Sequence, residues 1–319
     1  MPGSVSGLFQ TVVAAANEST QVLAPTHAAV DRIYWDHTGA EPGVLYNVIN
    51  VPLPADVSSL VGDVGAGDML VNEINAGTTP ITLSYHPQFA YVIRDYDQYR
   101  TPLRLRTLFL DDAIKGIKTH INNKVCQLFS TSNFTTNSQI SCTGGGISLS
   151  QFTGAMAVLS DRFVNIDDRE NMSCILPSTP YTKILDATTG TIGAAWSQAF
   201  IAGNSIAEET RRSGKVPTAN NCTFWRDQQM PTMGTSPSQV FTGAYFHRWA
   251  VAGVSRPIPT DPVADKSCDV MYIKWNNITI RIVVSYSHVP YNGPVVSVEA
   301  VYGLAVVREN MGQLFSIAS

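Results

Sequence analysis

The chain has 319 residues, enough to bury one large core or two modest ones. Charged residues make up only 14% of it, against about 25% in an ordinary soluble domain. The formal charge is −4, so no basic excess recruits nucleic acid, and the exterior relies on Ser, Thr, Asn and Gln. A surface this poor in charge fits a chain covered by neighbouring subunits, since interface cores are depleted in charge. No stretch approaches about 18 apolar residues, so no membrane span is expected. The opening MPGSVSGLFQTVVAAANEST lacks the charged start and long apolar centre of a secretory signal.

In chain order, residues 1–42, punctuated by Pro25 and Pro42, read as an extended arm with little core of its own. Residues 44–51 (VLYNVINV) are β-branched and aromatic. A loop follows with Pro52, Pro54, Gly62, Gly65 and Gly67 and the acids Asp56, Asp63, Asp68 and Glu73. Residues 81–93 then resume strand alternation around an interruption at Pro87. The two stretches predict a protruding β-hairpin that needs another surface to lie on.

Between residues 103 and 129, Leu110, Ile114, Ile117, Ile121, Val125 and Leu128 mark one face of a long helix. Asp111, Asp112, Lys115, Lys118, Asn122, Asn123 and Lys124 fall on the expected polar face. Residues 148–163 predict a second amphipathic helix capped by Ser148 or Ser150, with Leu149, Phe152, Met156 and Leu159 facing one way. The stretch NMSCILPSTPYTKILD reads as a buried strand, a proline turn and a helix start. Residues 190–240 carry no assignable pattern. The run FTGAYFHRWAVAGV at 241–254 fits helix or strand, with helix favoured. Residues 270–275 and 278–286 flank Asn276-Asn277 as a tight hairpin, and 295–307 predict a further strand pair around Gly303.

Motifs for chemistry are missing. The six histidines are scattered, no HExxH or GxSxG occurs, and GDVGAGD at 62–68 and TGGG at 143–146 match no phosphate-binding loop. The five cysteines form no CxxC and read as reduced, mostly buried thiols of a cytoplasmic product. Asp95 with Asp97, or Asp167 with Asp168, could form a carboxylate pair, but such acids ordinarily serve as solvated charges or ion-pair partners. No catalytic, cofactor-binding or metal-binding residue is therefore assigned, and no enzymatic activity is expected. The sequons at Asn133 and Asn171 are expected to stay unmodified. RDYDQYR at 94–100 interleaves charge with aromatics at the hairpin base. Arg94, Asp95, Asp97 and Arg100, with Asp63, Asp68 and Glu73 in the loop, are the candidate inter-subunit contacts.

The order of elements resembles that of tailed-bacteriophage major capsid proteins, with their α+β, Hong Kong 97-like fold. Local stretches carry the likeness too. SQFTGAMAVLSDRF leading into MSCILPSTPYTKIL resembles the start of the family's A-domain, and RRSGKVPTANNCTFWRDQQMP a later segment of it. ITIRIVVSYSHV followed by VEAVYGLAVVREN, with Gly303 and Arg308, resembles the closing strands. The resemblance implies an N-terminal arm at 1–42, an extended hairpin (the E-loop) at 43–100 and a P-domain with its spine helix at 101–147. It further implies an A-domain at 148–268 and return strands completing the P-domain at 269–319. Implied partners are copies of the chain in pentamers and hexamers, scaffolding, portal and decoration proteins, and packaged DNA held non-specifically; no cofactor or membrane is implied. A tail-tube or other β-rich phage protein would explain the terminal strands but not the long helix. A hydrolase built from scattered Ser, His and Asp has no motif in its support.

Overall fold

The computed structural model describes residues 27–36, 48–52, 77–95, 105–135, 139–185, 222–233, 239–259, 268–287 and 292–318. Within them the helices are α1 (Ala28–Arg32), α2 (Leu105–Leu128), α3 (Leu149–Asp161) and α4 (Ser178–Leu185). The early strands are β1 (Tyr34–Asp36), β2 (Val48–Pro52), β3 (Thr78–Thr82), β4 (Gln88–Val92), β5 (Ile140–Cys142) and β6 (Met172–Leu176). Next come β7 (Thr223–Arg226), β8 (Thr232–Met233), β9 (Val240–His247) and β10 (Val251–Arg256). The last are β11 (Cys268–Trp275), β12 (Ile278–Ser287), β13 (Gly293–Val306) and β14 (Gly312–Ala318).

The strands sort into two mixed sheets and a ribbon. The first sheet runs β1-β10-β13-β12-β11, with β4 also paired to β13. The second runs β5-β14-β9-β6-β7, with β8 on β9, and β2 pairs with β3 alone. Besides its passage through α2 from β4 to β5, the chain crosses directly between the sheets at the 3-10 turns Arg248–Ala250 and Glu309–Met311. These crossings are tied together, because the N–H groups of Val307 and Arg308 both donate to the Ala250 carbonyl, at 2.9 and 3.2 Å. As a result β10, inside residues 148–268, belongs to the first sheet, and β14, inside 269–319, to the second.

The long helix is α2, and its predicted apolar residues Leu110, Ile114, Ile117, Ile121 and Val125 are buried against the first sheet, together with Val296, Val298, Ala300 and Tyr302 of β13. A second core lies beyond the second sheet, where Phe152 of α3 meets Phe224 and Tyr245, each at 5.1 Å. Ser148 caps α3 through a reciprocal box with Gln151, so the first of the two candidate serines is the cap. The buried face of α3 is Phe152, Ala155 and Leu159, while Leu149 is exposed and Met156 half-buried.

Residues 241–254 are not helix but two strands and a turn. The second sheet is buried on both faces: Phe241 and Tyr245 of β9 enter one core, Ala244 and Phe246 the other. A strand covered on both sides loses its polar alternation and reads as a continuous apolar run, which is why the residues alone favour helix there. Likewise β6 is buried at all five positions.

Residues 295–307 are not a strand pair either. β13 runs unbroken through Gly303, whose missing side chain admits the ribbon: a Cβ there would sit 2.3 Å from the Thr82 carbonyl oxygen. The turn at Asn276-Asn277 is as expected, with φ of 47° and 64°, the double left-handed conformation of a two-residue hairpin.

Residues 27–36 depart from the expected arm. Ala29, Val30, Ile33 and Trp35 are buried in the main core, and β1 adds in parallel to β10. The helix that carries them has its first N–H groups met by side chains from distant elements. Ala29 N donates to Asp227 Oδ2 at 3.1 Å and Val30 N to Asn122 Oδ1 at 3.3 Å. Asn122 Nδ2 in turn donates to Asp227 Oδ2 at 2.8 Å and Gln229 Oε1 at 2.7 Å. Gln229 closes the network on Asp227 Oδ1 and on the Thr119 carbonyl of α2. Asn122 and Asp227 are completely buried, so Asn122 is no part of a solvated face.

Two outcomes follow from these contacts. Replacing Asn122 with Leu leaves a buried carboxylate and a helix N–H short of a partner, and should cost about 2–4 kcal/mol in denaturant unfolding. Gly303→Ala should cost about 1–3 kcal/mol by overpacking, and hydrogen exchange should show selective loss of protection at Ile81 and Thr82.

Candidate assembly surface

The ribbon β2–β3 lies on the chain's own first sheet at its base. Ile49, Val51 and Ile81 are buried against Ala252 and Val254 of β10, while Val48, Asn50, Thr78, Pro80 and Thr82 face outward. Pairing runs from Val48 with Thr82 to Pro52 with Thr78, so the sequence between Pro52 and Thr78 continues from the free end of the ribbon. Of the predicted hairpin, Val48–Pro52 pairs with Thr78–Thr82; residues 44–47 lie outside the described residues, and Gln88–Val92 of the expected second limb pairs with β13 instead.

Beside it, β4 forms an edge. It pairs with β13 alone among the described strands, and Ile93 N donates to Pro294 O while Ala300 N donates to Pro87 O. By antiparallel parity, Gln88, Ala90 and Val92 turn their backbone N–H and C=O groups away from β13. Aromatic rings extend from this edge: Phe89 lies 6.1 Å from Tyr91, which lies 5.8 Å from Phe109 of α2. Phe89 and Phe109 are exposed. An open backbone edge bordered by apolar rings is suited to pairing with another chain.

The outer face of the first sheet carries a cross-strand row of Tyr272, Arg281, Glu299 and Gln88. Glu299 is buried and receives Arg281 Nε at 2.8 Å on one oxygen and His86 Nε2 at 2.9 Å on the other. This clasp fixes the link between ribbon and β4 to the sheet, reinforced by the mutual backbone bonds of Tyr85 and Tyr302. Nothing in the sequence spacing signals it, because its members are far apart in the chain.

Of the candidate contact residues, Asp63, Asp68, Glu73, Asp97 and Arg100 lie outside the described residues. Arg94 is exposed, and Asp95 is half-buried. Asp95 Oδ2 accepts from the Tyr286 hydroxyl at 2.5 Å and its N–H donates to Asn292 O, so this acid braces the strand ends of its own chain. Asp168 likewise serves a turn: it accepts from Asn171 Nδ2 at 2.8 Å, which holds its carboxyl below the usual range, and it faces His247.

Burial keeps the enclosed cysteines in the thiol form. Burial pushes the Cys142 thiol up to about 11 and those of Cys126, Cys174 and Cys222 up as well. Four of the five cysteines are buried and all five are free thiols. No group of three or more His, Cys, Asp or Glu among the described residues is placed to hold a metal ion, and no described helix is long and apolar enough to cross a membrane.

Lys118 departs from the solvated face expected for it. It is fully buried, with Nζ 5.0 Å from the Trp275 ring and no hydrogen-bond partner among the described residues. Burial lowers its pKa to about 8, opposed by the nearby Asp31 carboxylate. Burial also raises Asp31 to about 6, against the pull of Arg32 and Lys118, and Asp31 accepts a hydrogen bond from Asn276 Nδ2. The helical period alone cannot place Lys118 or Asn122 inside, because α1, Trp275 and the loop carrying Asp227 and Gln229 cover the side of α2 that period assigns to solvent.

No protein-family model and no curated protein sequence matches the chain. Solved structures do. A chain of the Cyanophage Pam1 capsid asymmetric unit is 9% identical, with a TM-score of 0.54 over 90% of this chain and 89% of that one. A chain of the capsid of an empty GTA particle computed with C5 symmetry is 10% identical, with a TM-score of 0.52 over 92% and 90%. A chain from Mycobacterium phage Che8 is 11% identical, with a TM-score of 0.51 over 85% and 84%. At such identities the likeness establishes the fold, which is the α+β, Hong Kong 97-like fold of phage capsid chains.

Lys118→Met should raise stability at neutral pH by about 1 kcal/mol or more, since a buried ammonium with no hydrogen bond among the described residues gives way to an apolar side chain of similar length. The wild-type lysine binds its proton less tightly folded than unfolded. Wild-type stability should therefore rise between about pH 8 and the ordinary lysine value of 10.5, and the gap to the variant should narrow over that window. Thermal melts of both proteins across pH 7–10.5 check the sign.

Proposed function

We propose that the chain is a major capsid protein whose copies assemble into the pentamers and hexamers of an icosahedral phage shell enclosing double-stranded DNA. The observation that carries this reading is the likeness to capsid chains over about nine-tenths of both partners. The likeness runs over most of both chains and does not rest on isolated motifs. The charge-poor composition supports it independently, because neutral-polar and apolar exterior is tolerable when neighbours cover it.

In this reading the protein resides in the virion capsid after assembly in the host cytoplasm. The segment from the free end of the β2–β3 ribbon reaches over one neighbour, the N-terminal arm reaches under another, and Arg94 and the acids Asp63, Asp68 and Glu73 take part in charged contacts between copies. Head-to-tail contacts close into rings, and obligate interfaces of this kind commonly bury about 2,000 Å² or more. Scaffolding, portal and decoration proteins are the further partners, and DNA contact is to phosphate and non-specific.

Negative-stain microscopy and sedimentation of the purified wild type should show capsomers or shells; a persistent monomer under all assembly conditions overturns the reading. Deleting residues 54–77 should leave a subunit that melts cooperatively within a few degrees of wild type and forms no shells. Normal shells from the deletion would refute the role given to this segment.

A further inference from the structure

At the end of α3 the chain breaks a local rule. The N–H of Val164 donates to Leu159 O at 3.1 Å and that of Phe163 to Ser160 O at 2.9 Å, the paired bonds of a Schellman termination. Val164 and Leu159 are buried together beneath it, so the geometry is fixed by packing. This termination forces the residue after the cap into the left-handed region, where glycine is favoured and a bulky side chain is strained. Here that residue is Phe163, at φ 60°. Its side chain is thrown outward and is 98% exposed, more than any other large hydrophobic residue among those described.

Both features oppose the folded subunit: glycine would relieve the backbone, and any polar residue would suit the solvent better. Among the described residues, no aromatic ring packs against Phe163. A strained, exposed aromatic held by a rigid motif is suited to work outside its own chain.

We propose that Phe163 is an assembly knob that inserts into an apolar recess on a second copy of this chain. The identity of the occupant rests on the capsid reading above, and the charge around the knob agrees with it. Residues 161–170 carry the acids Asp161, Asp167, Asp168 and Glu170 against Arg162 and Arg169. An acidic excess repels nucleic-acid phosphate and anionic lipid headgroups. The presence of both signs lets this segment pair with the mixed charges of an identical chain, as polar residues beside the apolar centre of a protein interface do. A ring held by a fixed turn also surrenders little freedom on insertion.

The test compares full-length wild type, Phe163→Gly and Phe163→Leu. Light scattering and sedimentation give the protein concentration at which half the subunits are in particles, and thermal melts of the unassembled subunit report the fold. Phe163→Gly should melt a few degrees higher than wild type, because the left-handed strain is removed, yet need at least tenfold more protein to assemble. Phe163→Leu, which keeps both the strain and apolar bulk, should melt near wild type and assemble within about threefold of it. If Phe163→Gly assembles within twofold of wild type, the knob is refuted while the capsid reading stands. If wild type itself never assembles, both fall.

Discussion

The buried contact among Asn122, Asp227 and the N-terminus of α1 is the constraint on which the rest of the architecture depends. It joins three parts of the sequence that no local rule connects: residues 29 and 30, the middle of the long helix, and the loop after β7. A short helix of five residues cannot hold itself together in water. It persists because its first N–H groups are satisfied by a carboxylate and an amide oxygen, and because its apolar residues are enclosed. Once α1 is fixed, Trp35 is seated under β10, with its indole N–H on Val30 O at 2.9 Å, and β1 completes the edge of the first sheet. The same network anchors the loop after β7, and with it one edge of the second sheet, to the spine helix. One polar cluster thereby sets the relation between both sheets.

The second constraint is that the two cores share a wall. Strands β6 and β9 send alternate residues into opposite cores, so neither core can be repacked alone. Phe246 shows the economy of this arrangement, standing 4.7 Å from Phe129 at the end of α2 while its neighbour Tyr245 packs on Phe152 of α3. The paired crossings at Ala250 and Val307 then keep the sheets in register at the point where the chain exchanges between them.

These constraints explain what could be read in the residues and what could not. The long helix α2, a serine N-cap at the start of α3, the buried strand at 172–176 and the Asn276-Asn277 turn were legible because each depends on neighbours in sequence. The strands within 241–254 were not, since burial on two faces erases the period that distinguishes strand from helix. Gly303 looked like a turn because a glycine between β stretches signals either a bend or a close approach, and only the position of Thr82 decides which. Lys118 and Asn122 were placed on the wrong face because the helical period marks the most apolar direction and is silent about what wraps the flanks. At the candidate surface the order of elements pointed to a shell subunit. The clasp of His86, Arg281 and Glu299 and the exposed Phe163 were invisible, because both depend on geometry between distant segments or on a backbone angle.

Where the chain breaks local rules is itself informative. Inside, each polar exception in the Asn122 cluster has its partner: the buried carboxylate, amides and N–H groups answer one another within the subunit. Lys118 is less well provided for, with only an aromatic face and a carboxylate nearby. Outside, the exceptions are of the opposite kind. Phe89 and Phe109 lie beside an open strand edge, and Phe163 stands strained and bare at a helix end. Local rules are otherwise obeyed closely at caps and turns, so these outer departures are not the mark of a loosely specified sequence. A departure that nothing within the subunit compensates is best compensated by what lies against it. In the proposed shell, that is the surface of a neighbouring copy, in keeping with a chain of which only 14% is charged.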